Sequence, residues 1–463
     1  MTDPNQRPNP VEIAAQSGSR ELDRSDREGP SRARWVVLAM LCSMSFVLYI
    51  DRVCMSQAIV PIGDDFGFTN WKKSLVMMAF TLAYGLFEVP TGRWGDMYGA
   101  RRILTRIVIW WSVFTVATAM CFGFYSLLLV RFLFGAGEAG AYPNTARVIA
   151  TWFPHRERGA AQGAFMAFSL VGGAVTPFLA AYMIEIMGGW RWPFVVFGVL
   201  GAAWAALFHT WFRDDPAEHS WVRPAELEWI RSGTAPSRAN DVAIPWGLLF
   251  QQRSLWLLGL IITCGAFNSY LYLSWYPNYL QKARGLTNVE SGWLSSMVLA
   301  GGALGLQIGG IVGGRIVRRA RNWSLARRMI GCCSYASAAV ALLISVQFDS
   351  PTWSAGLAAL SCACMFFHQS TWWSTTTDIS GRHVGALFGL ANGMGVIGAM
   401  GSQLFFGLFA DWRAELGFTG RAQWDPAMYV VALVLVCGAA TWLFVDPTRT
   451  IEGEAVEHYP ATR

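Results

Sequence analysis

Two acids and two bases sit where apolar sequence should exclude them. Asp51 and Arg52 lie in VLYIDRVCMSQAIVP (47–61), and Arg131 and Glu138 lie in RFLFGAGEAGAYPN (131–144). Seven residues on a helix make about two turns, roughly 10.5 Å of rise, on nearly one face. A charge at bilayer depth costs at least ~2.5–3.5 kcal/mol, so such groups belong in a protein interior or an aqueous cavity, with partners at hand. If the first stretch runs outward through a membrane and the second runs back, Asp51 lies ~15 Å and Arg131 ~10 Å from the same end. A long arginine side chain closes that difference, and the deeper Glu138 comes within reach of Arg52. The expected pairs are Asp51–Arg131 and Arg52–Glu138. A static brace between helices is the plainer reading, but desolvation makes buried ions poor glue. A carboxylate whose partner leaves can take up a proton, and proton coupling is the chemistry these four groups favour.

The surrounding sequence must supply membrane-crossing helices to hold them. Of 463 residues, 54% are hydrophobic and only 14% charged, where a soluble domain has about a quarter charged. Mean hydropathy is +0.34. Apolar runs recur from Trp35 to Val445, each long enough to cross a hydrocarbon core of ~30 Å. They predict an all-α integral membrane protein with twelve transmembrane helices, at 35–60, 74–92, 103–122, 125–146, 160–184, 191–212, 254–280, 291–316, 325–346, 352–376, 384–409 and 426–445. The polar, charged segment 213–253 divides them into two six-helix bundles, 35–212 and 254–446. Residues 1–34 read as a disordered cytosolic tail with no signal-peptide core, and 447–463 as a second tail.

Basic residues orient the chain. With a cytosolic N-terminus, 27 of the 36 Lys and Arg fall on the cytosolic side and 7 on the outer side. That asymmetry follows the positive-inside rule and predicts both termini in the cytosol of a multi-pass cell (inner) membrane protein. The net charge of +6 resides in short loops and does not suggest nucleic acid. The nine cysteines all fall in apolar runs without zinc-ligand spacing, so no metal or cofactor is expected. The Gly-rich runs lack the strand and the Lys-Ser/Thr of a phosphate loop; in spans, small residues let helices approach closely.

GRWGDMYGARR (92–102) fills the loop between spans 2 and 3. Gly92, Gly99, Asp96, Arg101 and Arg102 make a tight turn with an acid and paired arginines, suited to latching helix ends. GGIVGGRIVRRARN (309–322) is a degenerate copy with Gly314 where an acid is expected, and such internal repeats mark transporters built from related halves. Glu88 is expected to belong with the latch loop, and His368 to be a packing residue. Spans 7 to 12 offer neutral groups in place of charges: Asn268, Tyr272, Trp275, Tyr276, Trp373, Ser374 and Asn392. A cation and two acids facing a neutral polar wall suggest an anionic, hydrogen-bonding ligand.

At these residues the chain resembles the anion:cation symporter family of the major facilitator superfamily. The resemblance spans nearly all of 35–446, most specifically YIDR (49–52), GRWGDMYGARR, RFLFGAGEAGAYP (131–143), TWFPHRERG (151–159), SWYPNYLQKARGL (274–286) and DISGRHVGALFGLANGMG (378–395). It implies two bundles working by alternating access, with Asp51 and Glu138 taking up protons, Arg52 binding the substrate carboxylate and Arg131 pairing with Asp51. It further implies an aromatic hydroxyl at Tyr84, a span 10 aromatic at Trp373 and an amide at Asn392. Ser169 stands where some sugar-acid carriers have glutamine, and the second latch loop departs from the pattern.

The expected function is secondary active transport of a small organic anion, a sugar acid or related carboxylate, in symport with protons, with sodium as the other possible ion. The expected state is a monomer in the lipid bilayer. The alternative within transport is a facilitator or exporter of a neutral or aromatic solute. A membrane sensor lacks room for a signalling domain in the tails and linker. An enzyme lacks a metal cluster or nucleophile–base pair at membrane depth.

Overall fold

Hydrocarbon offers a backbone no hydrogen bonds, so each crossing must satisfy its own. The structure, a computed structural model, describes residues 31–232, 246–380, 384–448 and 450, helical almost throughout. Most of the predicted tails, the linker segment 233–245, Arg382 and the Asp96 side chain lie outside the described residues.

Among the described residues, eleven helical stretches are long and apolar enough to cross a membrane. In the first half these are span 1 (Ala33–Phe66), span 2 (Asn70–Tyr98), span 3 (Ala100–Ala119), span 4 (Phe124–Trp152), span 5 (His155–Ile186) and span 6 (Arg191–Trp211). In the second half they are span 7 (Arg253–Arg284), span 8 (Asn288–Arg319), span 9 (Trp323–Gln347), span 11 (Val384–Glu415) and span 12 (Gly420–Phe444). The tenth predicted crossing is present in two pieces, Pro351–Phe367 and Gln369–Ser380, broken at His368. Neither piece alone reaches the ~20 residues a bilayer needs.

Polar residues set the helix ends. Thr287 accepts from the Glu290 N–H at 3.3 Å while the Glu290 carboxylate accepts from the Thr287 N–H at 2.9 Å, a reciprocal cap on span 8. Asn322 accepts from the Leu325 N–H at 3.0 Å to start span 9.

The second half repeats the packing of the first. Span 1 lies on span 5, 2 on 4 and 3 on 6; correspondingly 7 lies on 11, 8 on 10 and 9 on 12. Two seams join the halves, span 2 against 11 and span 5 against 8. An even number of crossings brings Ala33 and Phe444 to one face, the terminus-bearing face. Hydrogen bonds between the halves gather in the opposite half of the molecule. There Gln57 donates to the Asn288 carbonyl at 2.9 Å, Lys282 to Asp64 at 2.9 Å and Thr81 to Gln403 at 3.0 Å.

Part of the linker is folded. Helix Pro224–Arg231 docks on the first half through Glu226, which is fully buried. Glu226 accepts from the N–H groups of Ala33 at 3.3 Å and Arg34 at 3.2 Å, and from the Arg34 guanidinium at 3.2 Å. It thereby neutralises the positive end of span 1.

Candidate functional site

Span 4 brings Glu138 to a break in its own helix. The helix from Phe124 stops at Glu138, and a second begins at Ala141. Gly140 turns the chain between them at φ 86°, a conformation that disfavours side chains. A Cβ there would meet the Thr91 side chain of span 2, and one at Gly135 would meet the Phe80 carbonyl. The glycines of the GAGEAG stretch thus press span 4 onto span 2 and aim Glu138 inward. Gly140→Ala is expected to lower stability by about 1–2 kcal/mol from backbone strain alone, read as a lower Tm of the purified protein in detergent.

Glu138 is completely buried, and its Oε1 accepts from Arg52 Nε at 2.8 Å and also from Arg52 Nη2. The expected Arg52–Glu138 pair is therefore formed. Aromatic rings enclose the guanidinium, with Arg52 Cζ 5.3 Å from the Tyr49 centroid, 5.2 Å from Phe80 and 4.8 Å from Tyr84. Such faces hold a cation without neutralising it.

Asp51 does not form its expected pair. It is 1% exposed, and neither carboxylate oxygen has a hydrogen-bond partner. Arg131 stands within electrostatic range but closes no ion pair; its guanidinium lies over Phe134 at 4.7 Å and Phe80 at 5.2 Å. Thr115 and Trp111 of span 3 are the polar neighbours of Asp51, and neither closes a hydrogen bond to it. The sequence estimate matched depths along the spans, but the arginine turns to the aromatic faces of spans 2 and 4. A buried carboxylate without partners is costly when ionised.

Arg52 and Arg131 open onto a small cavity of about 30 Å³, walled on the second half by Tyr270, Leu273, Ser274 and Gln403. Gln403 ties this wall together, accepting from Thr81 and donating to Ser274 at 3.2 Å. The second-half candidates sit elsewhere. Asn268 is fully buried, Tyr272 packs against Tyr276 at 5.6 Å, and Trp275 donates to the Gln403 carbonyl at 3.2 Å, all inside the second half. Trp373, Ser374 and Asn392 are exposed and do not line this cavity.

Tyr84 lies under Arg52 and donates to Glu88 at 3.4 Å. Glu88, expected with the latch loop, therefore stands beside Arg52. Ser169 is buried behind Tyr142, which donates to it at 3.4 Å. Tyr142 went unremarked in the sequence although it lies four residues beyond Glu138. Gln403, a lone amide in an apolar run, gave a comparable signal.

The latch loop works within the first half. Gly99 turns at φ 85°, the Arg101 N–H donates to Asp214 at 2.8 Å, and its guanidinium caps the His209 carbonyl at 2.8 Å. Gly92 packs on Pro143, and Arg102 is exposed. Among the described residues, no group of three or more His, Cys, Asp or Glu side chains could hold a metal ion.

Comparison with known proteins places this geometry. The family model described as Major Facilitator Superfamily matches residues 41–403. A probable sulfoacetate transporter of Cupriavidus necator is 32% identical over 426 residues, covering 91% of this chain and 96% of the relative. A D-galactonate transporter of Escherichia coli is 28% identical, covering 90% and 96%. A chloroplastic sodium-dependent phosphate transport protein of Arabidopsis thaliana is 31% identical, covering 90% and 80%. In fold, the chain is similar to a bacterial homologue of the human lysosomal transporter Spinster, solved inward-facing, with a TM-score of 0.73 at 20% identity over 89% of this chain and 96% of that one. With a family model spanning most of the sequence and relatives aligned along nearly all of it, the chain belongs to the Major Facilitator Superfamily.

Proposed function

We propose that the protein is a proton-coupled symporter that carries a small organic anion, a sugar acid or related carboxylate, by alternating access. One observation carries the reading: Glu138 holds Arg52 while Asp51 lies buried without a partner beside them. Arg52 is the anion site, and the two acids decide when it is free. With the cavity open to the outside, Asp51 and Glu138 take protons, and the neutral Glu138 loosens its grip on Arg52. The anion's carboxylate then replaces Glu138 on the guanidinium. Closing the halves brings Trp373, Ser374 and Asn392 over the ligand as hydrogen-bonding and stacking partners. After opening to the cytosol the acids release their protons, Glu138 recaptures Arg52, and the anion leaves.

The bias of Lys and Arg supports cytosolic termini in the cell membrane. On that orientation, the contacts between halves seal the outer side, and the structure is the inward-facing member of the cycle. The names of relatives support an organic anion: sulfoacetate for one, D-galactonate for another.

Uptake of labelled gluconate into proteoliposomes tests the coupling. An inward gradient of one pH unit supports up to about tenfold accumulation per coupled proton, and a protonophore should collapse it. Accumulation indifferent to protonophore but driven by sodium would assign the coupling to the other ion.

A further inference from the structure

We infer that Glu88 selects the charge of the substrate, admitting anions with one charged end and a hydroxyl-bearing tail while rejecting those charged at both ends. This rests on the reading of Arg52 as the anion site.

Tyr84, Glu88 and Gly92 recur every four residues, so they share one face of span 2. Tyr84 lies under the Arg52 guanidinium, and Gly92 packs against Pro143 of span 4. Glu88 therefore projects from the same wall as the anion site, about one helical turn nearer the terminus-bearing face. It is half-buried, and among the described residues its carboxylate is hydrogen-bonded by the Tyr84 hydroxyl alone. Among the described residues Arg52 is the one cation within its electrostatic range, and Arg52 is already taken by Glu138. Glu88 is thus an acid without a countercharge of its own, bonded to the Tyr84 that lies beneath the Arg52 guanidinium; the tail of an anion held by Arg52 is inferred to extend along this face of span 2 toward it.

One turn of helix is about the length of a six-carbon chain. An aldonate with its carboxylate on Arg52 places its terminal hydroxyl near Glu88, where the hydroxyl donates and the carboxylate accepts. The matching dicarboxylate places a second negative charge there. Like charges meeting in a poorly hydrated cavity repel far more strongly than in water.

Gluconate and glucarate form the matched pair, differing only in whether the sixth carbon bears a hydroxyl or a carboxylate. Their affinities are measured by calorimetry on the purified protein, with proteoliposome uptake followed in parallel. Wild type is expected to prefer gluconate by about tenfold or more. Glu88→Gln should bring the ratio near one by tightening glucarate, with gluconate changed less than about threefold. Glu88→Asp, which keeps the charge, should retain the preference and shows that the site tolerates substitution.

A ratio unchanged by Glu88→Gln, or wild type binding both anions equally, would overturn the inference. Failure of wild type to bind either anion would overturn it together with the anion reading. The expected binding ratios without proton-driven uptake would leave Glu88 as the selector and remove only the coupling.

Discussion

Glu138→Gln is expected to abolish proton-driven accumulation while leaving anion-for-anion exchange in place. Glutamine keeps the size of the side chain and one oxygen to face Arg52, so the pocket stays filled. It can neither lose nor gain a proton, and it no longer holds the guanidinium through a charge-assisted bond. Arg52 then stays available to anions in both orientations of the transporter. Under a gradient of one pH unit, wild type should concentrate gluconate up to about tenfold per coupled proton, whereas the variant should equilibrate near a ratio of one. Exchange of internal for external gluconate needs only the loaded carrier to reorient, and should proceed within a few-fold of the wild-type rate. Wild-type accumulation with wild-type pH dependence in Glu138→Gln would remove Glu138 from the coupling.

The second large effect lies at the seam between spans 2 and 11. Asp411, near the end of span 11, accepts from the N–H of Asn70 at 3.1 Å, the Asn70 side-chain amide at 2.9 Å and the Trp71 N–H at 2.7 Å. An acid from one half thus caps the first turn of a helix in the other. It satisfies donors the helix cannot pair internally and meets the positive end of the dipole. Parting of the halves at this end in the proposed cycle would break these bonds. A cap is worth about 0.5–2 kcal/mol and the dipole contact up to about 2 kcal/mol, so Asp411→Ala should shift the closed-to-open ratio by roughly tenfold or more. Nitroxide labels at the exposed positions 125 and 416, in a cysteine-free background, report the spacing of the halves at this end. A population at longer distance should grow in Asp411→Ala; an unchanged distribution would show that the cap does not bias the gate.

The spans were legible because hydrocarbon imposes a coarse rule, about twenty apolar residues per crossing. The crossings through His368 and through Glu138 are broken, and hydropathy is blind to a helix break that leaves composition unchanged. The Arg52–Glu138 pair was legible because ions at membrane depth need partners, and depth follows from counting residues. Asp51 and Arg131 show the limit of that counting. Depth places them near one another, but aromatic faces compete for a guanidinium, and rotamer choice is not written in spacing.

Span 7 shows a second limit. Asn268, Tyr272 and Trp275 do share a helix face, but spacing does not say which face meets the cavity. The structure turns Tyr270, Leu273 and Ser274 toward it and the aromatic stripe into the packed second half. Glu88 failed for a related reason: it adjoins the latch loop in sequence, while its face of span 2 belongs to Tyr84 and Arg52. Neighbourhood along the chain and neighbourhood across a bundle are different quantities, and only the first is visible without a fold.

Proton movement during anion entry bears most directly on the idea that the buried acids titrate in each cycle. Proteoliposomes carrying a pH-sensitive dye inside receive gluconate from outside, with no other gradient imposed. Wild type should acidify the interior as gluconate enters, and neither Asp51→Asn nor Glu138→Gln should do so. Gluconate entry through wild type with no acidification, or equal acidification through both variants, would contradict it.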